Sequence, residues 1–339
     1  MINAFLPLLI GSLPHTDPVS GVEAVFQFFP NTPTWPQFPR YSYLESMDFQ
    51  YLDNIPGWYE KDGKVLFKKS DEIIISLSNY LEYALNDRWD KFVISINRAK
   101  GFYLFLDYLK KTQIKPSVLK GQVIGPITFL TSHVNEYGER LFKDETYLDS
   151  IPLFLRQKAL FQYNCFKEVS EKSTIIIFFD EPILSEIGSA VTNISYEIVE
   201  NVFTKIFHNL PFLKGIHICG NSDWDFILKL PLNIVNFDAY KFYKEFLLYE
   251  DAIKSFFMQN KYIALGVVPT DKEELKKVTF NGIYELTMNI VEKIKEIVGI
   301  KDVGNYIMLT PSCGMGTLEI DECIKAFKLL KDLNMKLRC

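Results

Sequence analysis

Thr174-Ile175-Ile176-Ile177-Phe178-Phe179-Asp180-Glu181-Pro182 places five large apolar residues in a row and ends them on two carboxylates and a proline. A run apolar on both of its alternating faces suits a parallel strand covered on both sides. Six further runs are mostly apolar in the same way: Leu6 to Ile10, Val118 to Ile124, Gly215 to Ile218, Ile234 to Phe237, Tyr262 to Val267 and Tyr306 to Leu309. Each is followed by a polar or glycine-bearing turn. Amphipathic stretches such as Tyr196 to His208, Leu275 to Val298 and Ile320 to Leu333 lie between most of them, so the order is strand and helix in alternation.

Two architectures share that alternation. An open doubly wound sheet advertises a glycine-rich phosphate turn early in the chain, and Gly11-Ser12-Leu13-Pro14 is not one. A closed barrel gathers its functional residues at the C-terminal ends of several strands. Gly11-Ser12, Gly125-Pro126, Asp180-Glu181-Pro182, His217 with Cys219, Asp238, Gly266 and Cys313 all end or follow an apolar run. The expected fold is therefore a TIM (β/α)8 barrel, class α/β, with residues 1–339 as one domain. The segment Phe29 to Arg40, rich in proline and aromatics, reads as an ordered loop that lids a pocket or covers one barrel end. A helical insertion follows it.

Composition narrows the function. Of the 339 residues 48% are apolar, enough for a large core, and the net charge of -5 without a dense Lys/Arg cluster argues against nucleic acid. No apolar run approaches the roughly 20 residues of a membrane-spanning helix. Met1-Ile2-Asn3-Ala4-Phe5-Leu6-Pro7 lacks a basic n-region, so a cytoplasmic location is expected. Cys165, Cys219, Cys313, Cys323 and Cys339, odd in number and scattered, do not form a disulfide framework, and reduced thiols are expected.

His217-Ile218-Cys219 is the richest chemical signal. Residues i and i+2 of a strand point to one side, so an imidazole and a thiolate can bind one ion without distorting the backbone. A second thiolate, Cys313, sits in Thr310-Pro311-Ser312-Cys313-Gly314-Met315-Gly316. If the strands close into a barrel, Asp238, one strand beyond His217, is the natural fourth ligand; the structural alternative is a helix-capping aspartate. Two thiolates, an imidazole and a carboxylate suit zinc. The aspartate, a hard and weakly held donor, suggests a site that exchanges ligands. Asp180 at a barrel mouth can pair with a substrate ammonium, or else cap the next helix. Glu186 is a weaker acidic position for the same pocket, and His15 lies near it. His133, His208 and Cys323 read as structural.

Taken together, Ile10-Gly11-Ser12-Leu13-Pro14, Gly125-Pro126-Ile127-Thr128, Asp180-Glu181-Pro182, His217-Ile218-Cys219, Asp238 and Pro311-Ser312-Cys313-Gly314 resemble, in order, the catalytic C-terminal barrel of cobalamin-independent methionine synthase. That family belongs to the superfamily of uroporphyrinogen decarboxylase and the zinc methyltransferases acting on coenzyme M. The resemblance runs from about Leu8 to Leu333. It implies zinc held by His217, Cys219, Asp238 and Cys313, with glutamate more usual at the third position. It implies homocysteine held by Ile10, Gly11 and Ser12, with its amino group on Asp180 and Glu186 at the matching acidic position. Zinc would present the substrate thiol as a thiolate, which attacks a methyl group in line.

Two departures bear on the methyl donor. The family's tryptophan for the folate pterin is Ser132 here, and its proton-donating histidine falls on Asp271, which also reads as a helix cap in Asp271-x-x-Glu274. A cobalt-bound methyl needs no such proton. The reading is a zinc-dependent methyltransferase that makes methionine from homocysteine, with methylcobalamin or a methyl-corrinoid protein as donor. A second copy of the chain stands beside that corrinoid protein as a partner to test. The alternatives are a corrinoid to coenzyme M transferase and a noncatalytic zinc-binding barrel; a tetrapyrrole decarboxylase uses no thiolate zinc site.

Overall fold

A computed structural model describes residues 3–189 and 192–338. Strand β1 (Leu6–Pro7) is followed by a hairpin, β2 (Trp58–Lys61) and β3 (Lys64–Phe67), then by β4 (Val118–Ile124) and the short β5 (Val134–Asn135). Then come β6 (Thr174–Asp180), β7 (Leu213–Ile218), β8 (Ile234–Phe237), β9 (Tyr262–Val268) and β10 (Ile307–Pro311). Seven of them form one curled parallel sheet in the order β1-β10-β9-β8-β7-β6-β4, and β2-β3-β5 form a small side sheet. The strand and helix alternation read from the sequence is the architecture observed. The periodic stretch from Leu275 to Val298 is two helices, Lys272–Lys277 and Phe280–Val298, because Thr279 caps a new start through Gly282 N.

An eighth stave is needed between β1 and β4, and the proline-rich segment supplies it. Thr34 makes a parallel bridge to Lys120 of β4, and Gln37 makes one to Ser12 beyond β1. Lys120 N donates to Pro33 O at 3.1 Å and Trp35 N to Lys120 O at 3.2 Å; on the other side Gln37 N donates to Gly11 O and Leu13 N to Gln37 O. The segment is thus the closing stave, and its end, Gln37, Pro39 and Arg40, borders the cavity at the same time. Proline cannot donate to a ladder, so side chains complete the pairing. Thr34 Oγ1 accepts from Leu9 N, Gln122 Nε2 donates to Trp35 O, and Trp35 Nε1 donates to Gln162 Oε1.

Strand alternation sorts the core into two layers. Leu6, Leu8, Val118, Ile176, Phe178, Ile234, Ala264 and Met308 pack together inside the barrel. The opposite faces pack against the surrounding helices in one large cluster. Gly215 makes room for the Phe178 ring, which a Cβ would meet at 2.5 Å. The inserted helix Asp71–Leu85 packs on the long helix Glu145–Val169 outside the barrel. No helix among the described residues is long and apolar enough to cross a membrane.

Candidate active site

Parallel register decides which strand-end residues meet. Asp180 pairs with His217 and His217 with Asn236, so β6, β7 and β8 set these three side by side in one row. Cys219 follows one residue past the end of β7. Cys313 arrives from β10 through a bulge at Thr310/Pro311, the kind of irregularity that re-aims a side chain beside a functional site. Ser312 N donates to Val268 O, and Met315 N donates to Ser12 O, tying that turn to the first strand end. Gly314 passes so close to Ser12 that a Cβ would lie 2.2 Å from its Oγ.

The outcome is a trio. Ligand atoms of His217, Cys219 and Cys313 lie within 4.8 Å of one another. Asn236 Nδ2 donates to Ala264 O and to Thr310 Oγ1, both at 2.8 Å, which fixes the amide and turns its Oδ1 toward His217 Nδ1. His217 Nδ1 therefore carries the proton and Nε2 keeps its lone pair. That Nε2 is buried and has no hydrogen-bond partner. A buried nitrogen left bare costs about 1–3 kcal/mol, and an ion held with the two thiols removes that cost. Hydrogen bonding from Cys313 holds the Cys219 thiol down at about 4 against its burial, while Cys313 is pushed up by sharing that hydrogen bond and by burial. Such a pair is one thiolate and one thiol until a cation stabilises both as thiolates. The donor set fits zinc.

Asp238, expected as fourth ligand, stands apart from the trio. Its carboxylate accepts from Lys241 N at 3.1 Å and caps the helix Ala239–Phe246, the structural alternative for that residue. Burial raises it to about 6. Three protein donors and an open position are the arrangement of catalytic rather than structural zinc.

The trio opens into a cavity of about 820 Å³ that Ile10, Ser12 and Asp180 also line. Burial pushes Asp180 up to about 6, opposed by the positive charges of Lys120 and His217, and its Oδ1 is enclosed without a partner. Asp180 thus lines the cavity, and its enclosed Oδ1 is an unused acceptor. Its neighbour Glu181 does the capping instead, accepting from Ile127 N, Thr128 N and Thr128 Oγ1 at the start of the helix Pro126–Ser132. Gly125 is required there, since a Cβ would collide with the Glu181 carboxyl at 2.0 Å.

Other expected positions are not brought to the cavity. Gly11 is buried behind Ile10 and Ser12, and Glu186 is exposed on the turn Pro182–Glu186. Asp271 is exposed and caps the helix Lys272–Lys277 through Glu273 N and Glu274 N, so a helix cap is the geometry found. Ser132 is exposed at the end of its helix. His15 is buried edge-on to Phe38. Cys165, Cys219, Cys313 and Cys323 are free thiols, and Cys339 lies outside the described residues.

Sequence reading missed Asn236, although a lone polar residue within Ile234 to Phe237 was the available signal. It also missed the part of the wall that Glu45, Met47 and Tyr51 of the insertion supply. Glu45 is buried there, raised to about 7 by burial while accepting from Phe38 N and Lys100 N.

No family model matches the chain. A methionine synthase from Methanocaldococcus jannaschii is 26% identical over 230 residues, which span 65% of this chain and 65% of that protein, less than two thirds of the relative's length. Among solved structures, a B12-independent methionine synthase from Shewanella, in complex with selenomethionine, superposes with a TM-score of 0.58 at 12% identity, covering 99% of this chain and 98% of that one. A methyltransferase from Methanosarcina mazei gives 0.55 at 10% identity, covering 98% and 94%. At such identities the superpositions speak for the fold alone, and they agree with a methionine-synthase-like barrel.

Proposed function

We propose that this methionine-synthase-like barrel is a zinc-dependent methyltransferase that methylates the thiol of homocysteine to give methionine. One observation carries the reading: His217, Cys219 and Cys313 share a cavity with Asp180, whose enclosed Oδ1 has no hydrogen-bond partner. A soft three-donor site accounts for a thiol substrate, and a buried acceptor beside it accounts for an amine on that substrate. Asp180 is what favours an amino acid over 2-mercaptoethanesulfonate, which has no amine.

His217 through Nε2, Cys219 and Cys313 would hold the zinc, with Asp238 outside that group and its Oδ1 capping a helix through Lys241 N. Zinc bound there would lower the pKa of the substrate thiol so that it is a thiolate at neutral pH. Asn236 holds the imidazole in the tautomer that leaves Nε2 free. Asp180 binds the substrate ammonium with a charge-assisted hydrogen bond. Ile10 and Ser12 bound the amino-acid end, and Met47 and Tyr51 line the cavity with them. Orientation of the acceptor by these groups supplies the proximity term of the reaction.

For the donor we propose methylcobalamin or a methyl-corrinoid protein. Ser132 and Asp271, where the related family carries its pterin platform and its proton donor, are both exposed and outside the cavity lining. A folate N5-methyl needs protonation to leave, whereas a cobalt-bound methyl does not. The test loads the protein with zinc, adds homocysteine, and supplies methylcobalamin or methyl-folate in parallel with methionine assayed in both. Demethylation of the cobalamin with methionine formed supports the full reading. Methionine from folate alone overturns the donor; none from either donor, with zinc bound, overturns the activity.

A further inference from the structure

Among the described residues Lys120 is the lysine placed inside the barrel without an ion pair, and its charge reaches the proposed site by opposing the upward shift of Asp180. It is wholly buried, and strand alternation puts it on the face of Val118, which belongs to the interior cluster. Its Nζ donates to the carbonyl oxygen of Ile10 and to Gln122 Oε1 at 3.3 Å, and lies 4.6 Å from the centre of the Phe178 ring. Burying an ammonium is costly unless its donors are met, and here a backbone carbonyl, an amide and a ring face meet them.

The Ile10 contact spans a gap in the sheet. β1 and β4 share no ladder, because the closing stave stands between them. The main chain of the same Lys120 holds that stave, giving its N–H to Pro33 O and accepting from Trp35 N. One residue therefore ties three staves, and the strand end it fixes is the one that brings Ile10 and Ser12 to the cavity.

We propose that Lys120 is a positioning residue of the acceptor subsite, a brace across the irregular stave that sets Ile10-Gly11-Ser12 for an amino-acid backbone. This rests on the reading of the cavity as an amino-acid thiol site. The brace acts on the amino-acid end and leaves the metal trio alone. A simple thiol without an amino-acid backbone is indifferent to it.

The test compares zinc-loaded wild type with Lys120→Met and Lys120→Gln, titrating homocysteine and 2-mercaptoethanol by calorimetry and recording the melting temperature of each. The expected result is at least a tenfold loss of homocysteine affinity, unchanged mercaptoethanol affinity and an unchanged or higher melting temperature, since exchanging a buried charge for an apolar side chain is often stabilising. A purely structural lysine would do the reverse, and unchanged homocysteine affinity in folded variants, or failure of both variants to fold, overturns the role. Wild type that binds mercaptoethanol but not homocysteine overturns the amino-acid reading itself, and the brace with it.

Discussion

The two sides of this barrel are held by different means. From β6 to β10 the staves form an unbroken parallel ladder, and the residues that matter sit at register positions: Asp180 beside His217, His217 beside Asn236. Between β1 and β4 the stave is a proline-rich segment, and pairing passes through Thr34, Gln122, Gln162 and Lys120 side chains. The ladder side presents the metal donors; the irregular side presents Ile10, Ser12 and the insertion wall. Backbone register tolerates changes in side chains, whereas a stave held by side chains depends on each of them. Changes on the ladder side should therefore cost function at constant stability, and loss of a neutral hydrogen-bonding side chain on the irregular side should cost stability first; Lys120, a buried charge, is the exception.

The largest expected effect is His217→Ala or Cys219→Ser. Zinc per chain, measured by metal analysis after dialysis, should fall from near one to near zero while the melting curve moves little. Full retention of zinc would dissolve the proposed site. Next is Asn236→Ala, which leaves the trio intact but frees the imidazole. Loss of such an orienting partner costs about 10–100-fold in metal affinity, measured by competition with a chelator, and an unchanged affinity would show that the row across β7 and β8 is packing alone.

Asp180→Asn should weaken homocysteine binding by about 1.5–3 kcal/mol, the range for a hydrogen bond to a charged group. The sign of the pH dependence follows from burial, which raises the carboxyl to about 6. Above that value it is ionised and binds an ammonium; as pH falls through 6 it protonates and wild-type affinity falls. The asparagine variant should be flat over the same range, and parallel pH profiles would exclude Asp180 from amine binding.

On the irregular side, Gln162→Leu removes the acceptor for Trp35 Nε1 and the donor to Gln122 O. Leaving a buried N–H unpaired costs about 1–3 kcal/mol, to be read by denaturant unfolding, with zinc content unchanged. A loss of zinc instead would mean that the two sides are not independent. The smallest effect belongs to Asp271→Ala. It removes an exposed cap from the helix Lys272–Lys277, so a slightly lower melting temperature and unaltered methyl transfer are expected. A large fall in turnover would restore Asp271 as a proton donor.

How much was legible in advance differs in the same way between the two sides. The runs Val118 to Ile124 and Ile234 to Phe237 coincide with β4 and β8 to the residue, because a strand buried on both faces is mostly apolar, and the few polar residues it holds, Lys120, Gln122 and Asn236, are themselves buried. Phe29 to Arg40 has no such run. A stave completed by side-chain hydrogen bonds leaves no periodicity to read, so its place between β1 and β4 was invisible. The acidic residues divide similarly. Asp180, Glu181, Asp238 and Asp271 each follow a strand, and local pattern cannot tell a cap from a pocket group, since both want a carboxylate at a strand to helix turn.

By itself the sequence determined the kind of fold, through its alternating apolar runs and amphipathic stretches, and it nominated His217, Cys219 and Cys313 through residue type and spacing. Only the tertiary structure decided that these three converge while Asp238 caps a helix, that Glu181 takes the capping role and leaves Asp180 free, and that Asn236 and Lys120 hold the two strand ends. The reason is physical. Strand formation depends on neighbours in the chain, but which side chains share a cavity depends on register between staves up to hundreds of residues apart, on one bulge in β10 and on which turn a carboxylate finds first.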